Sequence, residues 1–186
     1  MLIFAHTGIT LGAAALLAGG AKRGRNPAEW LTALSGYLDI RWLLVGSLLP
    51  DIIDKPVGQM LFRDTFQNGR IFSHTLLFLI VVSALGFYWW KRQKSRWLLA
   101  LAAGTFTHLV LDSMWRTPQT LFWPLRGWEF PKAELEDWVG GIWHALVSNP
   151  GVFVPELIGL GLLVWLAAVI IKRRKTGDFI KYGRIA

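Results

Sequence analysis

WLLALAAGTFTHLVLDSMW, residues 97–115, is an apolar run interrupted by His108 and Asp112. Its length approaches the roughly 20 apolar residues that a membrane-crossing helix needs. His108 and Asp112 are four positions apart, so on a helix they share one face. An ionisable group at bilayer depth costs several kcal/mol or more, which makes it a functional hypothesis by default. Imidazole plus carboxylate is also the ligand set of a hydrolytic metal site. The bland alternative is a buried His–Asp pair that joins helices by a hydrogen bond.

Three other stretches have the same apolar character: residues 2–20, 71–90 and 152–171. The last is the cleanest, flanked by Pro150 and by Lys172-Arg173-Arg174-Lys175. A fifth stretch, residues 42–53, is too short to cross alone. Residues 31–38 precede it, broken off by Asp39 and Arg41, so the two form either a kinked span or an interfacial helix followed by a half-span. The chain has 186 residues, 53% of them hydrophobic, and a mean hydropathy of +0.40. Soluble domains run at about 45–50% apolar. Cysteine is absent, which excludes disulfides, thiolate nucleophiles and Cys-zinc sites. Several of the 11 Trp sit at the ends of runs (Trp89, Trp90, Trp97, Trp115), as in an interfacial aromatic belt. The expected fold is all-α: one polytopic membrane-embedded bundle over residues 1–186 with four to five membrane helices. Residues 116–151 read as an outer cap containing a short amphipathic helix over 138–147. Residues 172–186 read as a basic cytoplasmic tail along the inner leaflet.

A net charge of +8 raises the question of nucleic acid, but its distribution points to membrane orientation. With the N-terminus outside and five alternate crossings, the inner regions hold 14 basic residues against three acids, and the outer regions six against nine. That is the positive-inside asymmetry of an inner-membrane protein with a cytoplasmic C-terminus. No nucleic-acid partner is expected. The basic cluster Lys22-Arg23-Gly24-Arg25 follows the first apolar run, the reverse of a signal peptide's order, so that run is expected to be retained.

The same topology gathers the polar residues at the outer end. His6 lies at the start of the first helix. Asp51 and Asp54 end the second, in Pro50-Asp51-Ile52-Ile53-Asp54. His74, in Ser73-His74-Thr75, is expected three residues into the third helix, roughly 5 Å deep at ~1.5 Å per residue. Solvated carboxylates at a helix end, or a core histidine bonded to a hydroxyl, are the plainer readings of these two motifs. Ser73 and His74 are adjacent and point about 100° apart on a helix, which argues against a serine nucleophile. Arg70 suits either pairing with an Asp or bidentate capture of a phosphate; a snorkelling arginine is the plain alternative. His144 and Glu156 also fall on the outer side, His144 without an expected role. The glycines read as packing or turn residues, since no strand precedes them.

Taken together, Ala5-His6, Gly46-Ser47-Leu48-Leu49-Pro50-Asp51-Ile52, the segment from Gly69-Arg70 to Leu76-Leu77, Gly104 to Asp112, and Leu121-Phe122-Trp123-Pro124-Leu125 resemble a known family. It is the YdjM-like inner-membrane proteins, described as LexA-regulated membrane-bound metal-dependent hydrolases. More remotely, the pattern is similar to the all-helical zinc phospholipase C and zinc-nuclease group. The resemblance implies that His6, Asp51, His74, His108 and Asp112 line a site for metal-assisted phosphoester hydrolysis. Two departures stand out. The family's Pro-Asp-Ile-Asp-His is here Pro50-Asp51-Ile52-Ile53-Asp54, and Gly69 stands where the family has a histidine. The departures imply either that Asp54 replaces a lost ligand or that a metal position is missing.

The expectation is a hydrolase that cleaves a phosphoester, in a membrane lipid's head group, at the outer leaflet. His6, Asp51, His74, His108 and Asp112 would hold one or two divalent ions, zinc or else manganese. Asp51 or Asp54 would take the proton from water, and Arg70 would hold the phosphate. The competing expectations are a metal-ion or proton transporter, and a non-catalytic protein whose His–Asp pairs only join helices.

Overall fold

The computed structural model describes residues 2–21, 26–132, 143–144 and 146–185, and among these there is no strand. The cluster at 22–25 and most of the expected cap helix over 138–147 lie outside the described residues. The chain begins with α1 (Ile3–Ala21) and α2 (Pro27–Tyr37). Asn26 starts α2 by accepting the Glu29 N–H at 3.0 Å, with Pro27 in the first turn, where its missing N–H costs nothing. At Leu38 the backbone becomes extended, and Asp39 caps α3 (Ile40–Pro56) by accepting the Arg41 N–H at 3.0 Å. The second stretch is therefore two capped helices, not one kinked span. α3 runs past Pro50 and Asp54 before it loosens into a π turn (Val57–Leu61) and the short α4 (Arg63–Phe66).

The third apolar run differs from expectation. Its helix, α5 (Leu76–Gln93), starts two residues after His74, with Thr75 Oγ1 accepting the Phe78 N–H at 3.0 Å as its cap. His74 sits before it, in a 3₁₀ turn (Phe72–His74). The cause is the Asp54 carboxylate. It accepts the backbone N–H groups of Ile71, Ser73 and His74 at 2.7–3.2 Å and so ties the segment to α3 instead of letting it wind into α5. α6 (Trp97–Leu111) leads through a second 3₁₀ turn (Met114–Arg116) into α7 (Pro118–Leu121). After residue 132 the long helix α8 (Pro150–Lys172) and the short α9 (Thr176–Tyr182) complete the chain.

α1, with 19 residues, and α8, with 23, are long and apolar enough to cross a bilayer. α6 is apolar but only 15 residues long. It spans ~22 Å, short of the roughly 30 Å hydrocarbon thickness. α5 ends in Lys91, Arg92 and Gln93. Of the four to five crossings expected, two are thus carried by helices sufficient on their own, with the shorter ones packed against them.

Two glycine-mediated crossings hold these helices together. A Cβ on Gly46 of α3 would overlap the Leu101 carbonyl of α6, and one on Gly104 would overlap the Leu43 carbonyl and come within 2.6 Å of Ser47 N. Gly8 of α1 and Gly159 of α8 face each other with the same backbone proximity. Small residues that let backbones approach are how helices gain packing energy in lipid. Thr105 Oγ1 donates to Gly46 O across the first crossing (3.3 Å), and Thr10 and Thr107 hydroxyls meet at 2.9 Å between α1 and α6. Glu156 of α8 is buried and caps α1, accepting Leu2, Phe4 and Ala5 N–H groups at 2.6–3.3 Å.

The main apolar core lies at the far end of the bundle, built from Leu11, Leu31, Ile40, Leu43, Leu166 and Ile170. The tail expected along the inner leaflet returns to this core: Ile185 is 1% exposed within it, and Arg41 donates to the Ile180 carbonyl. One end of the molecule is thereby closed over hydrocarbon, and the three buried histidines lie at the other.

Gly104→Ala should cost at least ~2 kcal/mol, because its methyl has only backbone to displace, and so lower the melting temperature in detergent by about 5 °C or more. Gly20→Ala, whose Cβ meets open space, is the matched control. Equal melting temperatures for the two variants would contradict the crossing.

Candidate metal centre

Four chain segments deliver the site. α1 brings His6 in its first turn, α3 brings Asp51, Asp54 and Lys55, the 3₁₀ turn brings His74, and the end of α6 brings His108 and Asp112. His6, His74 and His108 are all fully buried. Full burial of three imidazoles calls for partners on every nitrogen.

The inner ring nitrogens are accounted for. His74 Nδ1 lies 2.7 Å from Asp54 Oδ2, and His108 Nδ1 lies 2.7 Å from the Ser47 carbonyl. Both partners are acceptors, so each Nδ1 carries the proton and each Nε2 presents a lone pair. Those two Nε2 atoms are 3.2 Å apart. Two lone pairs at that distance repel unless a proton or a metal cation lies between them. Around them stand Asp51 Oδ1, at 3.7 Å from His74 Nε2 and 3.9 Å from His108 Nε2, and Asp112 Oδ2, at 3.9 and 4.0 Å. Four donors each ~2.0–2.1 Å from a central zinc would be roughly 3.3 Å apart. The observed separations are close to that and slightly expanded.

His6 flanks this group. Its ring stacks on His108 with centroids 4.1 Å apart and planes at 18°, and its Nε2 lies 3.1 Å from Asp112 Oδ1. Neither His6 nitrogen makes a well-aligned hydrogen bond, although both are buried. A buried imidazole with no aligned partner on Nδ1 and a carboxylate oxygen 3.1 Å from Nε2 fits a ligand role. His6, Asp51 and His108 form one possible metal-holding set, and His74, His108 and Asp112 another. The fit also holds electrostatically. Asp51, Asp54 and Asp112 face two permanent cations, Lys55 (2.6 Å from Asp51 Oδ2) and Arg70 (2.8 Å from Asp112 Oδ2). With its imidazoles neutral, the cluster keeps one uncompensated negative charge.

All five residues expected as ligands are thus brought together. Asp54 is not among those facing the shared space: it is fully buried, and its oxygens are taken up by backbone N–H groups and His74 Nδ1. A carboxylate so occupied neither replaces a ligand nor receives a proton from water. It orients His74, as outer-sphere carboxylates do in metal sites. Arg70 is 43% exposed at the rim, engaged with Asp112. The Ser73 hydroxyl is buried and donates to Pro50 O at 3.0 Å, away from any substrate. His144 is exposed and outside the cluster.

Lys55 was not singled out in the sequence, although its i+4 spacing from Asp51 was the available signal. The Ser47 carbonyl left no such mark, because it depends on the α3–α6 crossing. Gly69, where the resembling family carries histidine, lies 3.3 Å (from an ideal Cβ) from the stem of Lys55. Closer still to the same ideal Cβ is the Gln59 side-chain amide. Above the turn, Phe72 packs edge-on against Phe66, Trp123 and Phe130 at centroid distances of 5.1–5.6 Å. The described part of the expected cap, through residue 132, thus clamps the segment bearing Arg70 and His74.

A family model for the YdjM inner membrane protein matches residues 1–176, and the chain belongs to that family. No curated protein and no solved structure matches it.

Asp54→Asn removes the charge that holds His74 and leaves an amide unable to accept every donor around it. Metal affinity, read by competition with a chelating dye, should fall ~10–100-fold. Unchanged affinity in a folded variant would show that Asp54 does not govern His74.

Proposed function

From a YdjM-family chain with this cluster at one end, we propose a membrane-bound metal-dependent hydrolase that cleaves a phosphoester in a lipid head group at the outer leaflet. The observation that carries the reading is the pair of Nε2 lone pairs 3.2 Å apart, each turned inward by its own Nδ1 partner, between two carboxylates. His74, His108, Asp51 and Asp112 hold one divalent ion, with His6 beside them. The nitrogen–oxygen donor set suits zinc first and manganese second. When bound, such an ion activates water and polarises a phosphoryl oxygen.

The chain's own residues supply the rest. Arg70, half out of the protein, presents N–H donors toward an incoming phosphate and suits its bidentate geometry. Lys55 adds a second positive charge beside Asp51. Asp51, with Oδ1 turned to the histidines, is the carboxylate positioned to take a proton from water, the role Asp54 cannot fill. The transporter reading finds less support: toward α9 the described residues next to the site are a glycine crossing, a threonine pair and then the apolar core, without a second ionisable cluster on the way.

Purified protein should contain about one zinc or manganese per chain by elemental analysis and turn over a lipid phosphoester in a head-group screen. His108→Ala should lose the metal and reduce turnover by at least ~10²-fold, since both depend on the same nitrogen. Full metal content in that variant, or none in the native protein, would sink the assignment; the latter outcome favours His–Asp pairs that merely join helices.

The orientation follows from the basic asymmetry, with the metal end on the non-cytoplasmic side. The absence of cysteine makes this testable. In intact cells an impermeant maleimide should label Arg126→Cys, at the metal end, and spare Lys181→Cys, in α9. The reverse pattern would invert the topology.

A further inference from the structure

Beside the metal end lies a cleft of about 480 Å³ between the start of α1 and the end of α3. Its walls are apolar: Ile3 and Phe4 on one side, Leu48 and Ile52 on the other. Three charged residues touch it, Asp51, Lys55 and Glu156. Glu156 is 6% exposed and spent on capping α1, so it offers the cleft no free charge. Asp51 and Lys55 stand together at one place, and Asp51 is the residue whose other oxygen faces His74 and His108. Among the described residues, the cleft therefore meets the cluster at the Asp51–Lys55 pair. Away from that point it continues into a second hollow of about 460 Å³, which shares Phe4, Leu146 and Glu156 with the first and adds Phe153, Leu157 and Leu160 of α8.

The result is a groove with the Asp51–Lys55 ion pair at its head, whose ammonium is the one cation among its described lining residues, and a long hydrocarbon body. Each hollow is within the ~300–1,000 Å³ of typical ligand sites. A soluble phosphoester has no use for the body, and a neutral lipid has none for the head. A phospholipid matches both, with its phosphate at Lys55 and one chain along Phe4 and Ile52 toward Leu157. We infer that this groove is the acyl-chain subsite of the centre, so that the substrate is a phospholipid bound by a single chain in a fixed track. The phosphate's place rests on the hydrolase reading above; the chain's track rests on the groove alone.

The test reconstitutes the full protein in phosphatidylcholine vesicles doped with a phosphatidylglycerol carrying a diazirine at the end of one acyl chain. After illumination, adducts are mapped by mass spectrometry. The outer face of α5, where Leu77, Ile80 and Val81 are exposed, serves as the measure of bulk lipid contact. Adducts at residues 2–4, 48–52 and 157–160 should exceed those on α5 by ~10-fold, the factor that about 1.4 kcal/mol of preference supplies. Ile52→Trp should abolish this excess without changing α5 labelling, and Leu157→Trp, on a different helix, provides the same block if the first variant does not fold. The same diazirine on a diacylglycerol, which lacks phosphate, should lose the excess. Equal labelling of groove and α5, or an excess that survives both tryptophans, means annular lipid only and overturns the inference. An excess retained by diacylglycerol overturns the phosphate's place. Metal content of the same preparation separates the two readings: metal with diffuse labelling removes the groove, and groove labelling without metal removes the hydrolase.

Discussion

The Asp54 carboxylate is the joint on which the site depends. It is fully buried at the end of α3, where an unpaired charge would cost many kcal/mol. It is made tolerable by three backbone N–H groups and the His74 imidazole, all from one loop. The bargain is mutual. Without Asp54 those N–H groups would be unsatisfied, and residues 71–75 would be free to join α5. With it, the chain stops short of a helix, and His74 is turned so that Nε2 faces α6. One acid thus determines where a helix starts and which nitrogen a neighbouring site receives.

The second constraint is steric. His108 finds its Nδ1 acceptor in a main-chain carbonyl, Ser47 O, on another helix. A backbone oxygen is reachable only where helices touch backbone to backbone, and Gly46 and Gly104 provide that contact one turn away. The glycines read as packing residues and the histidine read as a ligand are therefore parts of one device. The crossing brings Ser47 O to His108, the bond fixes the tautomer, and the tautomer aims Nε2 at His74. On the other side, Glu156 plays the corresponding part for His6 by tying down the first turn of α1.

This division explains what was legible from the residues alone. His6, Asp51, His74, His108 and Asp112 were visible because ionisable groups in apolar runs are costly and therefore informative. Their common end followed from basic residues collected at the other. The all-helical class followed from run length and composition. The start of α5 was not visible, because the apolar run resumes on both sides of Ser73-His74-Thr75 and the interruption of the helix comes from a carboxylate 17 residues before Ile71 in the chain. For the same reason the sequence leaves Asp51 and Asp54 as equal candidates for the proton acceptor: it shows that an acid is present, not which hydrogen bonds consume it. The return of the tail to the core at Ile185 was hidden by its basic neighbours, which are read as surface.

The arrangement also bears on why the cluster is held so firmly. Two buried imidazoles that point their lone pairs at each other between two acids are repulsive as they stand, and the packing around them has to supply the energy that keeps them there. That energy comes from the glycine crossings, the α1 cap and the aromatic clamp over Phe72, none of which needs an ion. A site preorganised in this way would take up a cation with little of the binding energy lost to ordering its ligands. Lys55 and Arg70 lower the repulsion only in part, by engaging the outward oxygens of Asp51 and Asp112, and both remain at the rim, where the proposed phosphate would arrive. Under the proposed function, an anion that drew these two cations toward itself would unmask the carboxylates behind them, and substrate and metal would then be coupled through Asp51 and Asp112.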